Sequence, residues 1–192
     1  MSVVSPLRGA VAPATEAGRE ARFLAFVEAH QDRAVRIAWR LVGGDAAAAE
    51  DVAQEAFLRA HRSLDRFRED GSMPAWFFGI LVNEARRWRR WRAVRLRWNA
   101  LWDDGIADPA PAPDGDPALR RRIAAAVDAL PAGQREAFVL VHFEGFSVDD
   151  AARVLGKAPG TLKSHLNRAL VRLRASLGDL AAAPPAPSEV AR

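Results

Sequence analysis

The chain of 192 residues contains no cysteine. That excludes disulfides, thiolate nucleophiles and any cysteine-bound zinc site, and it fits a reducing compartment. Long apolar runs are missing too: no stretch reaches the roughly 18 apolar residues that a membrane span needs. The segment after Met1, SVVSPLRGAVAPATEAG, lacks the continuous apolar core of a signal peptide. A cytoplasmic protein without membrane insertion is expected. Catalytic constellations are also lacking. His30, His61, His142 and His165 are scattered, no carboxylates pair at catalytic spacing, and the glycines form no phosphate-binding pattern. No enzyme activity, metal or cofactor is expected.

What is present is a local excess of positive charge. The formal charge is only +4, yet the pI is near 10.7, so the basicity is concentrated rather than general. It gathers between Pro74 and Trp98, in PAWFFGILVNEARRWRRWRAVRLRW. Pro74 suits the first turn of a helix, where its missing N–H costs nothing. Trp76, Phe77, Ile80 and Leu81 form an apolar stripe at helical spacing. Arg86, Arg87, Arg89, Arg90, Arg92, Arg95 and Arg97 follow, with no acid after Glu84. So many guanidinium groups on a few turns repel one another, and need full solvation or a polyanion such as a phosphate backbone. A solvated face beside a packing seam of Trp88, Trp91, Val94, Trp98 and Trp102 is the simpler reading of the same residues.

The apolar content of 49% supports one good core or two small ones. Punctuation favours two. Residues 1–18, rich in small residues and broken by Pro6 and Pro13, read as a disordered arm. From Arg19, the residues Phe23, Phe26, Val27, His30, Ala34, Ile37, Ala38 and Leu41 recur at helical spacing until Gly43-Gly44. Asp45 offers an N-cap to a second helix, with Val52, Ala53, Ala56, Phe57, Ala60 and Leu64 facing inward. Its other face carries Glu50, Asp51, Gln54, Glu55, Leu58 and His61, an acidic patch that suits a basic protein partner, with a solvated face as the simpler reading. A polar loop with Gly71 leads into the arginine-rich helix. Residues 101–117, acidic and proline-rich, read as a flexible linker. The expected fold is therefore all-α: two small helical domains, 19–100 and 118–178, and a disordered Ala/Pro-rich tail at 179–192.

The second domain carries its own signal. Pro131 closes a helix marked by Leu119, Ile123, Ala126, Val127 and Leu130, and a further helix runs from Gln134 to Phe143. Ser147 can cap a short helix in a box with Asp150, Gly156 can end it in the left-handed region, and Pro159 can start a longer one. In that last helix Leu162, Leu166, Ala169, Leu170, Leu173 and Leu177 face inward, while Lys163, Ser164, Asn167, Arg168 and Arg172 face out. A capped helix, a tight turn with glycine and a helix with a polar, basic outer face make a helix-turn-helix, whose second helix fits the major groove.

These segments, from about residue 20 to 177, resemble the extracytoplasmic-function (ECF) sigma factors of bacterial RNA polymerase, in the sigma-70 family. AEDVAQEAFLRAHRSLDRF is similar to the segment with which such factors bind the polymerase clamp helices, with Asp51, Gln54 and Glu55 at the matching positions. WFFGILVN looks like the family's Trp-Leu-Tyr-x-Ile-Ala-x-Asn signature, and LPAGQREAFVLVHFEGFSVDDAARVLGKAPGTLKSHLNRAL like its second conserved domain. The resemblance implies an alternative sigma factor. Its first domain would bind core polymerase through Asp51, Gln54, Glu55 and Leu58. The same domain would open and read the minus-ten element with Phe67, Asn83, Arg86, Arg87, Arg89 and Arg90. The second would read the minus-thirty-five element with Lys163, Ser164, His165, Asn167 and Arg168. Core polymerase and promoter DNA are the implied partners, with an anti-sigma factor as a candidate third. Met73-Pro74-Ala75, Ala158 and His165 depart from the family's usual residues. A helix-turn-helix regulator acting without polymerase is the competing reading, against which the acidic strip of the second helix argues.

Overall fold

The computed structural model describes residues 16–67, 71–99 and 117–181. Among these residues every regular element is helical. The N-terminal unit comprises α1 (Glu16–Val42), α2 (Ala46–Arg62), a 3₁₀ turn (Leu64–Arg66) and α3 (Met73–Asn99). The C-terminal unit comprises α4 (Pro117–Asp128), α5 (Ala132–Phe138), a π-helical turn (Val139–Phe143), α6 (Val148–Leu155) and α7 (Pro159–Ala181). Most of the expected arm, the linker up to residue 116 and the tail beyond Ala181 lie outside the described residues, while Pro117 already opens α4 and α7 runs three residues into the expected tail.

The local signals act as chemistry requires. Asp45 accepts the backbone N–H of Ala48 at 3.0 Å, which satisfies one of the orphan donors at the start of α2. Helix α1 begins at Glu16 rather than Arg19, and α2 stops at Arg62, short of Leu64, the last residue of its expected inward stripe. The reason for the second difference is Ser63, whose hydroxyl donates to Arg59 O at 2.7 Å and whose N–H shares two carbonyls of the last turn. Ser72 accepts the Ala75 N–H at 3.3 Å, so α3 opens on a serine cap with Pro74 inside its first turn.

In the C-terminal unit the expected Gln134–Phe143 helix begins at Ala132 and changes character at Val139. The Glu144 N–H there donates five residues back, to Val139 O. This widened turn shifts the following residues around the axis. The Ser147 cap is present, but its reciprocal half differs from a standard box. Asp150 N–H donates to Ser147 Oγ at 3.0 Å, while the Asp150 carboxylate accepts the serine hydroxyl at 2.6 Å instead of a backbone N–H. Gly156 ends α6 at φ +61°, a conformation that side chains with a Cβ resist. Ala158 leaves α7 with no side-chain cap, and Pro159 starts the helix with its φ already set.

The core of the N-terminal unit is a Phe and Ala lattice. Phe77 stacks on Phe57 with 4.3 Å between centroids and meets Phe26 edge-on at 5.2 Å, joining all three helices. Small residues on α2, Ala49, Ala53, Ala56 and Ala60, are fully buried and let the helices approach closely. Glu84 is buried between α2 and α3, where Arg59 reaches it at 3.0 Å and Arg87 at 3.5 Å. In α7 the buried residues are Leu162, Leu166, Ala169 and Leu173, while Leu170 and Leu177 are only half-buried.

The two units pack on each other, which the sequence does not announce. α3 lies against α6, where Gly79 comes so close to the Val154 carbonyl that an added Cβ would sit 3.1 Å from it. Phe78 meets Phe146 edge-on at 5.4 Å, and Arg33 lies over the Phe146 ring at 4.3 Å. The polar half of this seam bears on the functional residues.

Candidate nucleic-acid interface

On α2, Asp51, Gln54 and Leu58 recur at threes and fours and are exposed, so they share one face of the helix. Leu58 is 44% exposed, an apolar side chain in a polar strip. Glu55 stands beside them but is tied to Arg59 at 3.2 Å, which in turn holds the buried Glu84. One end of the strip is thereby anchored to the α2–α3 contact.

On α3, Asn83 is exposed and its side-chain oxygen accepts from Arg86 at 2.9 Å. Phe67, half-buried at the end of the 3₁₀ turn, leans on Trp76 with 5.1 Å between centroids. Trp76 and Asn83 are seven residues apart and so lie on one side of the helix, about 10 Å apart along its axis. The result is a surface with an aromatic wall at one end and an amide at the other. Arg87 and Arg90 are exposed. Further along, Arg92 lies over the Trp88 ring and Arg95 over Trp91, each at 5.1 Å. Trp91 and Val94, offered above as a packing seam, are each 55% exposed.

Arg86 and Arg89 are not free in solvent. Arg86 Nε and NH2 donate to the two oxygens of Glu136 at 2.7 and 2.6 Å. That bidentate pair holds its guanidinium above the usual arginine range, chiefly through the hydrogen bonds to Glu136. Arg89 NH1 donates to Asp128 Oδ1 at 2.6 Å and to the Leu41 carbonyl at 2.8 Å. Beside them opens a cleft of about 390 Å³, lined by Arg86, Arg89, Arg90, Arg135 and Glu136 over an alanine-rich wall. Arg135 is buried, and NH1 donates to the Asp128 and Leu130 carbonyls that end α4. Burial, and then the Arg89 charge, press its pKa below the ordinary value. At the far end of the seam Glu144 takes Arg40 and Arg33 together, and Arg33 also donates to the Glu144 carbonyl at 2.7 Å.

On α7, Lys163, Ser164, Asn167 and Arg168 are exposed on the outward face. The Ser164 hydroxyl donates back to Gly160 O at 3.0 Å, leaving its lone pairs to face outward. His165 turns toward α5: its ring lies 3.1 Å from where a Cβ on Gly133 would stand, and its Nδ1 is buried without a partner. Residues that sequence reasoning missed are Arg33, Arg40, Asp128, Glu136 and Glu144. Their pairings span 39 to 111 positions, and no local period reveals them.

Among the described residues no group of His, Asp or Glu is placed to hold a metal ion, and no helix is long and apolar enough to cross a membrane. Residues 26–94 match the family model for sigma-70 region 2, and residues 120–173 match that for sigma-70 region 4. The chain is 40% identical over 138 residues to the ECF RNA polymerase sigma factor EcfG of Rhodopseudomonas palustris, covering 71% of this chain and 75% of the relative. It is 35% identical over 166 residues to the ECF RNA polymerase sigma factor SigM of Mycobacterium tuberculosis, covering 85% and 81%. Among solved structures it is similar to the sigma factor RpoE of Bartonella quintana, crystallised with the anti-sigma factor NepR. That similarity has a TM-score of 0.68 and 30% identity, and covers 82% of this chain and 97% of the other. CnrH, solved with the cytosolic domain of CnrY, matches with a TM-score of 0.62 and 29% identity, covering 85% and 92%. With a region 2 unit and a region 4 helix-turn-helix in order on one chain, this protein belongs to the ECF sigma factors of the sigma-70 family.

Proposed function

We propose that this chain binds core RNA polymerase through the α2 strip and directs it to promoters, reading the minus-thirty-five element with α7 and opening the minus-ten element along α3. The observation that carries this reading is the presence of three surface patches in sigma-factor order: the exposed Asp51, Gln54, Leu58 strip, the exposed Asn83 with the half-buried Phe67 and Trp76 on its side of α3, and the exposed Lys163, Ser164, Asn167, Arg168 face. Polymerase performs the chemistry, in the cytoplasm, and this chain supplies address and strand separation. Run-off transcription with core polymerase on genomic DNA tests it: discrete start sites that need this chain are expected, and none at all would end the reading. An anti-sigma factor is proposed as a regulator because the RpoE relative was solved with one.

Polymerase binding is assigned to Asp51, Gln54, Glu55 and Leu58. Gln54→Ala with Glu55→Lys is expected to weaken core binding by about tenfold or more, since rim charges act on association. The helical circular dichroism should be unchanged, because Gln54 is exposed and the Glu55 to Arg59 pair is a surface pair of small worth. Equal core affinity in a folded variant would remove the assignment.

In the second unit, the exposed Lys163, Ser164, Asn167 and Arg168 are assigned to the major groove. His165 braces the same helix from behind, against Gly133. Arg168→Ala should cost about 1–3 kcal/mol on the preferred minus-thirty-five sequence if it meets a guanine. A fall of equal size on every sequence, with a shallower salt dependence, would show that Arg168 touches phosphate only.

A further inference from the structure

The cleft beside the arginine-rich helix has a lining that promoter recognition does not explain. Its volume of about 390 Å³ lies within the roughly 300–1,000 Å³ of ordinary small-molecule sites and is far more than a bare phosphate fills. Leu41, Val82, Ala85, Ala93 and Ala132 supply the apolar lining, and the alanines keep it open because none carries a side chain beyond Cβ. Arg86, Arg89, Arg90, Arg135 and Glu136 supply the polar part.

Four guanidinium groups and one carboxylate thus share the cleft. Two of the four cations are matched: Arg86 by both oxygens of Glu136, and Arg89 by Asp128. The other two are not. Arg90 is exposed and has no ion-pair partner among the described residues. Arg135 is 6% exposed, donates through NH1 to two backbone carbonyls, and keeps a buried Nε with no partner. A buried guanidinium held by neutral carbonyls alone is costly, and an anion within reach lowers that cost. Glu136 does not oppose such an anion, since Arg86 already occupies both of its oxygens.

We propose that the cleft is a binding site for a small organic phosphate of mononucleotide size, with its phosphate held by Arg90 and Arg135 and its ring against the alanine-lined wall. Two unmatched cations select the ligand class: a phosphate monoester carries a charge of about −1.5 to −2 at neutral pH, whereas a carboxylate balances only one of them. The planar fork of arginine also fits phosphate through paired donors. Arg86 and Arg89, held in their ion pairs, keep guanidinium faces on which a flat ring can stack. The site needs neither promoter nor polymerase, so it does not depend on the assignments above.

Calorimetric titration of the full chain with adenosine monophosphate, inorganic phosphate and adenosine tests the site. The monophosphate should bind about tenfold or more tighter than either fragment, since it alone engages both the cations and the apolar wall. Arg90→Ala should weaken adenosine monophosphate and inorganic phosphate alike by about tenfold, the size of one lost hydrogen bond to a charged group. Ala132→Leu, at an exposed position that opens α5, should fill the slot and bring the monophosphate down to the affinity of inorganic phosphate, with the helical circular dichroism unchanged. Should Ala132→Leu disturb the fold, Ala93→Leu, exposed on α3 across the cleft, carries the same measurement. Arg135 is left in place because its NH1 holds the end of α4. No binding of the monophosphate, or equal affinity for it and inorganic phosphate in the parent, overturns the proposal and leaves at most a bare anion contact. Monophosphate binding undiminished in a folded Ala132→Leu or Ala93→Leu chain also overturns it, because the ring then lies elsewhere on the arginine-rich helix.

Discussion

Phe77→Ala should cost about 3–5 kcal/mol of stability, the usual loss for truncating a fully buried phenylalanine. Small domains have only about 5–15 kcal/mol to lose. The side chain has no solvent exposure, stacks on Phe57 of α2, and meets Phe26 of α1 edge-on. Removing it takes away the group that ties three helices together, and the neighbouring rings are too large to collapse into the space. The buried Ala49, Ala53, Ala56 and Ala60 of α2 have no side chain to extend into the void. Urea denaturation followed by circular dichroism measures the effect. Leu58→Ala is the control: it is an equally apolar truncation at a 44% exposed site, expected within about 0.5 kcal/mol of the parent. A loss below about 1 kcal/mol for Phe77→Ala would mean that the aromatic lattice is not the core of this unit.

The same contrast explains what could be read in the sequence. Features that depend on neighbours a few residues apart were legible: the Asp45 and Ser147 caps, the left-handed Gly156, the inward stripe of α7, and the exposed Asp51, Gln54, Leu58 face. Helix stops were less so, because Ser63 ends α2 with hydrogen bonds that a hydrophobic period does not encode. The π-helical turn at Val139–Phe143 was invisible for the same reason: an added residue in a turn leaves an ordinary apolar run. Its consequence is large, since Glu144 directly after it reaches Arg33 and Arg40 of α1.

Charge was the hardest to place. The arginine ladder called for solvent or a polyanion. Part of that demand is met by single acids in distant segments, Glu136 and Asp128, whose own surroundings look unexceptional in sequence. Glu136 stands in α5, where Gln134, Arg135, Glu136 and Ala137 are all buried. Four consecutive buried residues in so short a helix show no alternation from which a period could be read. Part of the ladder is also met by rings, with Arg92 over Trp88 and Arg95 over Trp91.

Asn83→Ala should change which minus-ten base is preferred without abolishing opening, whereas Arg87→Ala with Arg90→Ala should reduce opening on every promoter alike. An amide can donate and accept along a base edge, and an extruded base needs a wall to rest on. Asn83 is exposed, and Trp76 with Phe67 against it stands two turns away on the same side of α3. Arg86 already donates to the Asn83 oxygen at 2.9 Å. That leaves the amide N–H groups of the exposed Asn83 to donate outward. Arg87 and Arg90 are the right pair for the second arm because both are exposed and neither takes part in the carboxylate seam. Substituting Arg86 or Arg89 would also break the pairs with Glu136 and Asp128. Each lost phosphate contact should lower the salt slope by about 0.7–1. Unstacking costs a few kcal/mol, so loss of two contacts is enough to move the opening equilibrium by about tenfold or more. Permanganate footprinting of open complexes on a promoter library reads both arms at once. An Asn83→Ala holoenzyme with the parent's base preference would end the pocket assignment. Promoter-dependent loss in the Arg87, Arg90 variant would show that these side chains read bases and not the backbone.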